Sequence, residues 1–290
     1  MNTDTPLGRP APWPAPGKLN LCLHVVGRRA DGYHLLQTAF QFIDLADQLR
    51  FFARPPGVIE LAGSLPGIAD EENLALRAAR ALAGGRRDLP GVAIALEKSL
   101  PLQGGVGGGS SDAATVLVAL NRLWGLGIDT AALAGLGLAL GADVPVFVRG
   151  QAAWAEGVGE RLTPASFSEQ TYLLVWPGVG AETARVFQSP DLKRDSPAIT
   201  IADFLTQGGR NDCEPVVRRA VPEVAAALNW LDRHGAARLT GTGSCVFAAL
   251  DSVTAIELVQ QVPVAWRAWV VRGLNRSPLA ARLEAEAARD

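Results

Sequence analysis

Lysine is nearly absent from this chain. Only Lys18, Lys98 and Lys193 occur among 27 basic residues, the rest being arginine. In such a composition a lysine is less readily explained as surface filler, which draws attention to Lys18 and Lys98. Cysteine is also scarce. Cys22, Cys213 and Cys245 are odd in number and far apart, with no CxxC and no Cys/His cluster. That excludes a zinc site or a disulfide framework and fits buried thiols in a reducing cytosol, so a cytoplasmic location is expected. Charge and glycine interrupt every candidate run of about 18 apolar residues, so no membrane span is expected. The opening MNTDTPLGRPAPWPAP lacks the apolar core of a signal peptide. Residues 1–13 read as a flexible Pro-rich tail. A net charge of −2 argues against nucleic acid or anionic membrane as a partner held by bulk charge.

Apolar content is ample, at 48% of 290 residues, enough for one or two domains. KLNLCLHVVG, from Lys18 to Gly27, alternates as a strand, and Asp31-Gly32 is a turn signal. LLQTAFQFIDLADQLRFFA reads as further strand. Residues 72–85 have helical spacing and stop at Gly84-Gly85. A strand over 91–101 leads into LQGGVGGGSSDAATVLVALNRLW, whose second half, 110–124, places Val116, Leu117, Leu120, Leu123 and Trp124 on one helical side. Helix is expected at 129–140, strand and turn at 151–165, a buried strand at 171–177, a helix split by Pro222, then strand, glycine turn and strand through ARLTGTGSCVFAAL. AWRAWVVRGL reads as a last strand. Strands and helices mix without regular βαβ alternation, which favours α+β over a doubly wound sheet.

The loop Gly104-Gly105-Val106-Gly107-Gly108-Gly109 carries a high ordering entropy and must admit something that side chains would obstruct. A bare backbone entering a helix can bring N–H groups to a phosphate. Three readings compete. One is a flexible loop before a helix capped by Ser110 or Ser111. A dinucleotide loop needs a third glycine and a distant acidic residue, and a Walker loop needs a lysine after the glycines; neither is present. What remains is a nucleotide-phosphate site of another kind.

PLQGGVGGGSSDAA resembles the second motif of the GHMP kinases, PAPGKLNL the first and LTGTGSCVFA the third, in order and at the expected distances. GRRADGYHLLQTAFQFIDLAD and LGADVPVFVRGQAAWAEGVGE are similar to one branch of that family, which phosphorylates a cytidine diphosphate-linked methylerythritol in the non-mevalonate isoprenoid pathway. The resemblance spans roughly residues 14–280. Gly17 stands where alanine is usual, which is expected to loosen the backbone beside Lys18; Val106 stands for leucine.

The resemblance implies a two-domain α+β fold with the active site in the interdomain cleft, an N-terminal ATP-binding unit over 14–165 and a C-terminal unit over 166–290. It implies ATP and Mg²⁺ as cofactors, a small-molecule substrate, and a monomer or homodimer. Asp143 in GADVPVF would be the base for the substrate's 2-hydroxyl, with Lys18 beside it. Asn20, two residues on, shares a strand face with Lys18. Tyr33 and Phe187 would stack on cytosine and His34 would bond its edge, with Thr183, Gly241 and Thr242 nearby. Pro101, Gly104, Gly105, Gly107, Gly108, Gly109, Ser110, Ser111, Lys98 and Asn73 would serve ATP. Metal ligands cannot be read beyond Ser110 or Ser111. The alternatives are a homoserine- or mevalonate-type kinase and a non-catalytic sensor on the same fold. Against these, each segment also has a plain structural reading: a helix-end carboxylate before a Pro-bearing strand for Asp143, core packing for Phe187, a hairpin turn for Gly241.

Overall fold

The computed structural model describes residues 5–64 and 67–288. In chain order its strands are β1 (Trp13–Arg28), β2 (His34–Arg54), β3 (Ile59–Leu61), β4 (Gly91–Glu97), β5 (Ala153–Glu156), β6 (Arg161–Pro164), β7 (Thr171–Trp176), β8 (Arg238–Leu239), β9 (Val246–Ala249) and β10 (Arg267–Leu274). Its helices are α1 (Leu74–Ala83), α2 (Gly108–Leu123), α3 (Thr130–Leu138), α4 (Val144–Arg149), α5 (Thr183–Gln188), α6 (Ile201–Gln207), α7 (Glu214–Ala220), α8 (Pro222–Leu231), α9 (Ser252–Val259) and α10 (Pro278–Ala287).

Two long strands organise the molecule. β2 pairs antiparallel with β1 along nearly its whole length, from Arg28–His34 to Trp13–Leu49. It also pairs with β4, β5 and β10, and β10 carries the sheet on to β7, β9 and β8. One mixed sheet therefore runs through both halves of the chain. β1 passes through three packed clusters in turn. Trp13 and Ala15 join a first core with α1, α2 and α4; Leu19, Leu21 and Cys22 join a middle one; Leu23 and Val25 join a third with β7, α7 and α8. This explains why β1 is buried on both faces rather than alternately.

α2 is the central helix of the first core. Ala113, Ala114 and Ala119 keep it close to its neighbours, and Leu117 and Leu120 are fully buried. Each leucine contributes about 1.5–3 kcal/mol by leaving water.

Two expectations are corrected here. The first four residues of the expected tail lie outside the described ones, but from Thr5 on the segment is bonded to β2: Leu7 N–H donates to Phe51 C=O and Ala53 N–H to Thr5 C=O. Proline suits such an edge because it needs no partner for an N–H. VPVFVR after Asp143 is a helix, not a strand, since Pro145 stands in its first turn where a missing N–H costs nothing. α10 returns to the first core, inserting Leu279 there. Among the described residues no helix is long and apolar enough to cross a membrane.

Candidate active site

A cavity of about 810 Å³ opens between the two halves. It is lined by Lys18, Asn20, Tyr33 and His34 from the β1–β2 hairpin, by the glycine loop from Pro101 to Ser110, by Asp143, and by Thr183, Phe187, Gly241 and Thr242. Residues separated by more than 200 positions thus meet in one space.

The loop between β4 and α2 is built to turn its carbonyls into protein. Gln103 C=O accepts from Ser244 N–H at 3.2 Å, Gly104 C=O from Cys245 N–H at 3.0 Å, and Val106 C=O from Lys18 N–H at 2.9 Å. Gly105 and Gly107 take φ of +73° and +76°, the left-handed region that glycine enters freely. α2 then starts at Gly108, and Gly107 before it supplies no side-chain cap. Its first-turn N–H groups and the positive end of its dipole are left for an anion. Neither serine caps the helix. Ser110 lines the cavity, but Ser111 is fully buried, its hydroxyl oxygen unpartnered and away from the cavity.

Lys18 is 3% exposed, beside a bulge in the β1–β2 pairing. Its ammonium has three donors and meets three acceptors: Asn20 Oδ1, Gly105 C=O at 2.9 Å, and Asp143 Oδ2 at 3.3 Å. Asn20 donates in turn to Thr38 Oγ1 at 2.8 Å, so its amide has a fixed orientation toward the lysine. Gly17 does not leave slack beside Lys18. A Cβ there would come within 2.9 Å of Leu100 Cδ2 and 3.0 Å of Ile43 Cδ1, so the space is already filled.

Asp143 precedes α4 in helical conformation and makes no capping bond with its side chain. Its carboxylate is therefore free of the helix and sits 32% exposed over the cavity, held among the described residues by Lys18 alone. A carboxylate next to a buried ammonium and open to a cavity can accept a proton from a bound hydroxyl.

At the other end, Phe187 stacks against His34 with ring centroids 5.0 Å apart and planes 26° apart. Tyr33, expected with Phe187 to flank the base, stands 65% exposed at the rim of the same cavity. Thr183 and Thr242 share a hydrogen bond at 2.9 Å, tying α5 to the third glycine turn.

Two further expected residues also make structural contacts. Asn73 lines no part of the cavity; its side chain accepts from Ala75 N–H at 2.9 Å and caps α1. Lys98 reaches the cavity wall, but its ammonium is taken by two carboxylates, Asp47 and Asp112, the latter at 2.7 Å. Asp47 also accepts from Ser99 and Leu100 N–H, at 2.6 and 2.8 Å, which fixes the chain entering the glycine loop. Burial pushes the Asp112 carboxyl up to about 7; Lys98 opposes this and Asp47 adds to it. Between the unfolded value near 3.8 and about 7 the native state then binds the extra proton, so stability falls as pH rises through that window. Asp112→Asn is expected to flatten that slope. Urea melts at pH 5 and pH 8 should show the parent chain losing more stability than the variant, by about a few kcal/mol at most. Equal losses would contradict the assignment.

The three cysteines are buried and unpaired. Burial pushes Cys22 and Cys213 up to about 12 and Cys245 higher still, so none is a thiolate at neutral pH. Two site residues escaped the sequence reading. Arg28, at the end of β1, lines the cavity. Arg194 holds His34 from the loop beyond α5.

Comparison with known proteins agrees with this geometry. The model of the GHMP kinases N terminal domain matches residues 73–151, and that of the GHMP kinases C terminal matches 193–267. A 4-diphosphocytidyl-2-C-methyl-D-erythritol kinase of Halorhodospira halophila is 55% identical over 281 residues, covering 96% of this chain and 97% of the relative. The protein of the same name from Bordetella pertussis is 55% identical over 253 residues, 86% of this chain and 85% of its own. Among solved structures, a 4-(cytidine 5'-diphospho)-2C-methyl-D-erythritol kinase superposes with a TM-score of 0.76 at 34% identity, over 90% of this chain and 98% of that one. A mevalonate kinase superposes at 0.66 with 15% identity, which shows the shared fold alone. The chain belongs to the GHMP kinase family, ATP-dependent phosphotransferases, in its 4-diphosphocytidyl-2-C-methyl-D-erythritol kinase branch.

Proposed function

We propose that the chain transfers the γ-phosphoryl group of ATP to the 2-hydroxyl of 4-diphosphocytidyl-2-C-methyl-D-erythritol, giving the 2-phosphate and ADP. The observation that carries this is the Lys18–Asp143 pair, 3.3 Å apart, in one cavity with an uncapped helix start and with an aromatic pair. Phosphoryl transfer needs positioning, charge neutralisation and a base for the incoming hydroxyl. The glycine loop and the α2 N–H groups hold the ATP phosphates. Asp143 takes the proton of the 2-hydroxyl. Lys18 holds the Asp143 carboxylate in place and offsets charge on the transferring group.

Mg²⁺ suits this arrangement as a cation carried mainly on ATP's own phosphates, where it screens their charge. Among the described residues no cluster of three or more metal-binding side chains exists, and Ser110 brings a hydroxyl oxygen to the cavity at the end of the loop. That hydroxyl would add to its shell.

The test is ADP release from purified protein with Mg-ATP, with and without the cytidyl substrate. Substrate-dependent release is the expected result; none with this substrate, but release with mevalonate or homoserine, would overturn it. Phe187→Ala is expected to raise the KM for the cytidyl substrate about 5- to 150-fold, the equivalent of roughly 1–3 kcal/mol of lost stacking, while the KM for ATP changes little. Equal effects on both would contradict a base-stacking role.

A further inference from the structure

Arg194 lies in the loop after α5, 160 positions from His34, and its Nε–H donates to His34 Nε2 at 3.0 Å. A guanidinium can only donate. The lone pair of Nε2 must therefore point at Arg194, and the proton of the neutral imidazole must be on Nδ1. We infer that Arg194 is a positioning residue that locks His34 in the Nδ1–H tautomer, making it a hydrogen-bond donor that reads an acceptor on the cytosine edge. This rests on the reading of the cavity as a cytidyl pocket.

The geometry gives Arg194 little freedom to do otherwise. Its remaining nitrogens donate to Leu192 C=O at 3.0 Å, Phe187 C=O at 2.9 Å and Ser189 C=O at 2.7 Å. The guanidinium thus closes the C-terminal end of α5 and holds the backbone of Phe187, the ring stacked on His34. One side chain sets both the plane of the imidazole and the base it rests against. Nδ1 makes no hydrogen bond to a described residue, and His34 lines the cavity. Burial, then the charges of Arg194 and Arg28, hold the imidazole below its ordinary range and so favour its neutral form.

The chemical consequence is selectivity. Cytosine presents acceptors at N3 and O2, whereas uracil presents an N–H at N3. An Nδ1–H facing N3 is satisfied by cytosine and meets another donor in uracil. A site committed to one hydrogen-bond polarity discriminates far more sharply than an apolar slot. A ring free to flip between tautomers would accept either base.

Imidazole ¹⁵N–¹H correlation spectra of the labelled full chain at pH 7.5 test this, with His34→Gln assigning the resonance. The parent chain is expected to show His34 as the Nδ1–H tautomer without any ligand. Arg194→Leu should populate the Nε2–H form, raise the KM for the cytidyl substrate about tenfold with the KM for ATP unmoved, and cut the preference over the uridine analogue about tenfold. Arg194→Lys, which keeps a donor, should retain the parent tautomer. An Nε2–H tautomer in the parent chain overturns the inference, and that spectrum needs no variant to fold. An unchanged tautomer in Arg194→Leu alongside a raised KM also overturns it, leaving a purely structural arginine. If CMP neither shifts the His34 resonance nor competes with substrate, the cytidyl reading of the cavity fails, while the tautomer assignment is judged separately by the ligand-free spectrum.

Discussion

Asp143→Asn is expected to abolish phosphoryl transfer and leave ATP binding near that of the parent chain. The substitution keeps shape and removes the proton acceptor. Asp143 does not cap α4, and its one ionic partner among the described residues is Lys18, which retains Asn20 Oδ1 and Gly105 C=O when the carboxylate is gone. The local structure therefore has other anchors. Loss of a positioned base costs about 10²- to 10⁴-fold in rate. The effect should fall on kcat, because the missing interaction belongs to the transition state and not to bound substrate. Single-turnover assays with calorimetric ATP titration separate the two. Turnover above about a hundredth of the parent's would remove Asp143 from the role of base.

Gly105→Ala is expected to damage folding and turnover together. The residue has φ of +73°, and an added Cβ would lie 2.2 Å from Thr240 C=O and 2.9 Å from Gly243 C=O. Backbone cannot step aside as a side chain can. The misfit would push the glycine loop away from the third glycine turn and strain the left-handed conformation, at a cost of about 1–3 kcal/mol for the strain alone. Gly105 C=O also accepts from Lys18, so the shift reaches the catalytic pair. Gly109→Ala is the matched comparison, since its nearest neighbour would be Leu74 Cδ1 at an ordinary 3.6 Å. Thermal melts should show Gly105→Ala clearly lowered and Gly109→Ala close to the parent. Similar melting of the two would refute the idea that Gly105 joins the halves.

The parts of this molecule that were legible in its sequence are those whose signal is local. The glycine loop announces itself through composition, and β1, α2 and β7 through hydrophobic period. Lys18 stood out because lysine is rare, and the structure buries it almost completely. Asn73 is different. An asparagine directly before LALRAAR has the pattern of a helix cap, and the structure uses it so, although family resemblance had drawn it toward the nucleotide. Lys98 had no local sign of its fate, because Asp47 lies 51 positions away. Arg194 was unreadable for the same reason. It sits among polar residues in KRDSP, and nothing nearby says that its partner is His34. The tail misled by composition: proline-rich segments are often unpaired, yet here each available N–H from Leu7 and Ala53 completes the edge of β2.

The two ends of the described chain lie against each other. Glu286 in α10 accepts from Arg9 N–H and pairs with Arg282, whose guanidinium in turn reaches Ala11 and Pro12 C=O and lies over the Trp13 ring. The polypeptide is in effect a ring fastened by noncovalent links. Its last helix is a neighbour of its first strand, so a recombination event that exchanged everything after β6 for the matching stretch of another kinase would also replace a piece of the first half's own interior. The two halves are therefore poorly suited to exchange as separate modules.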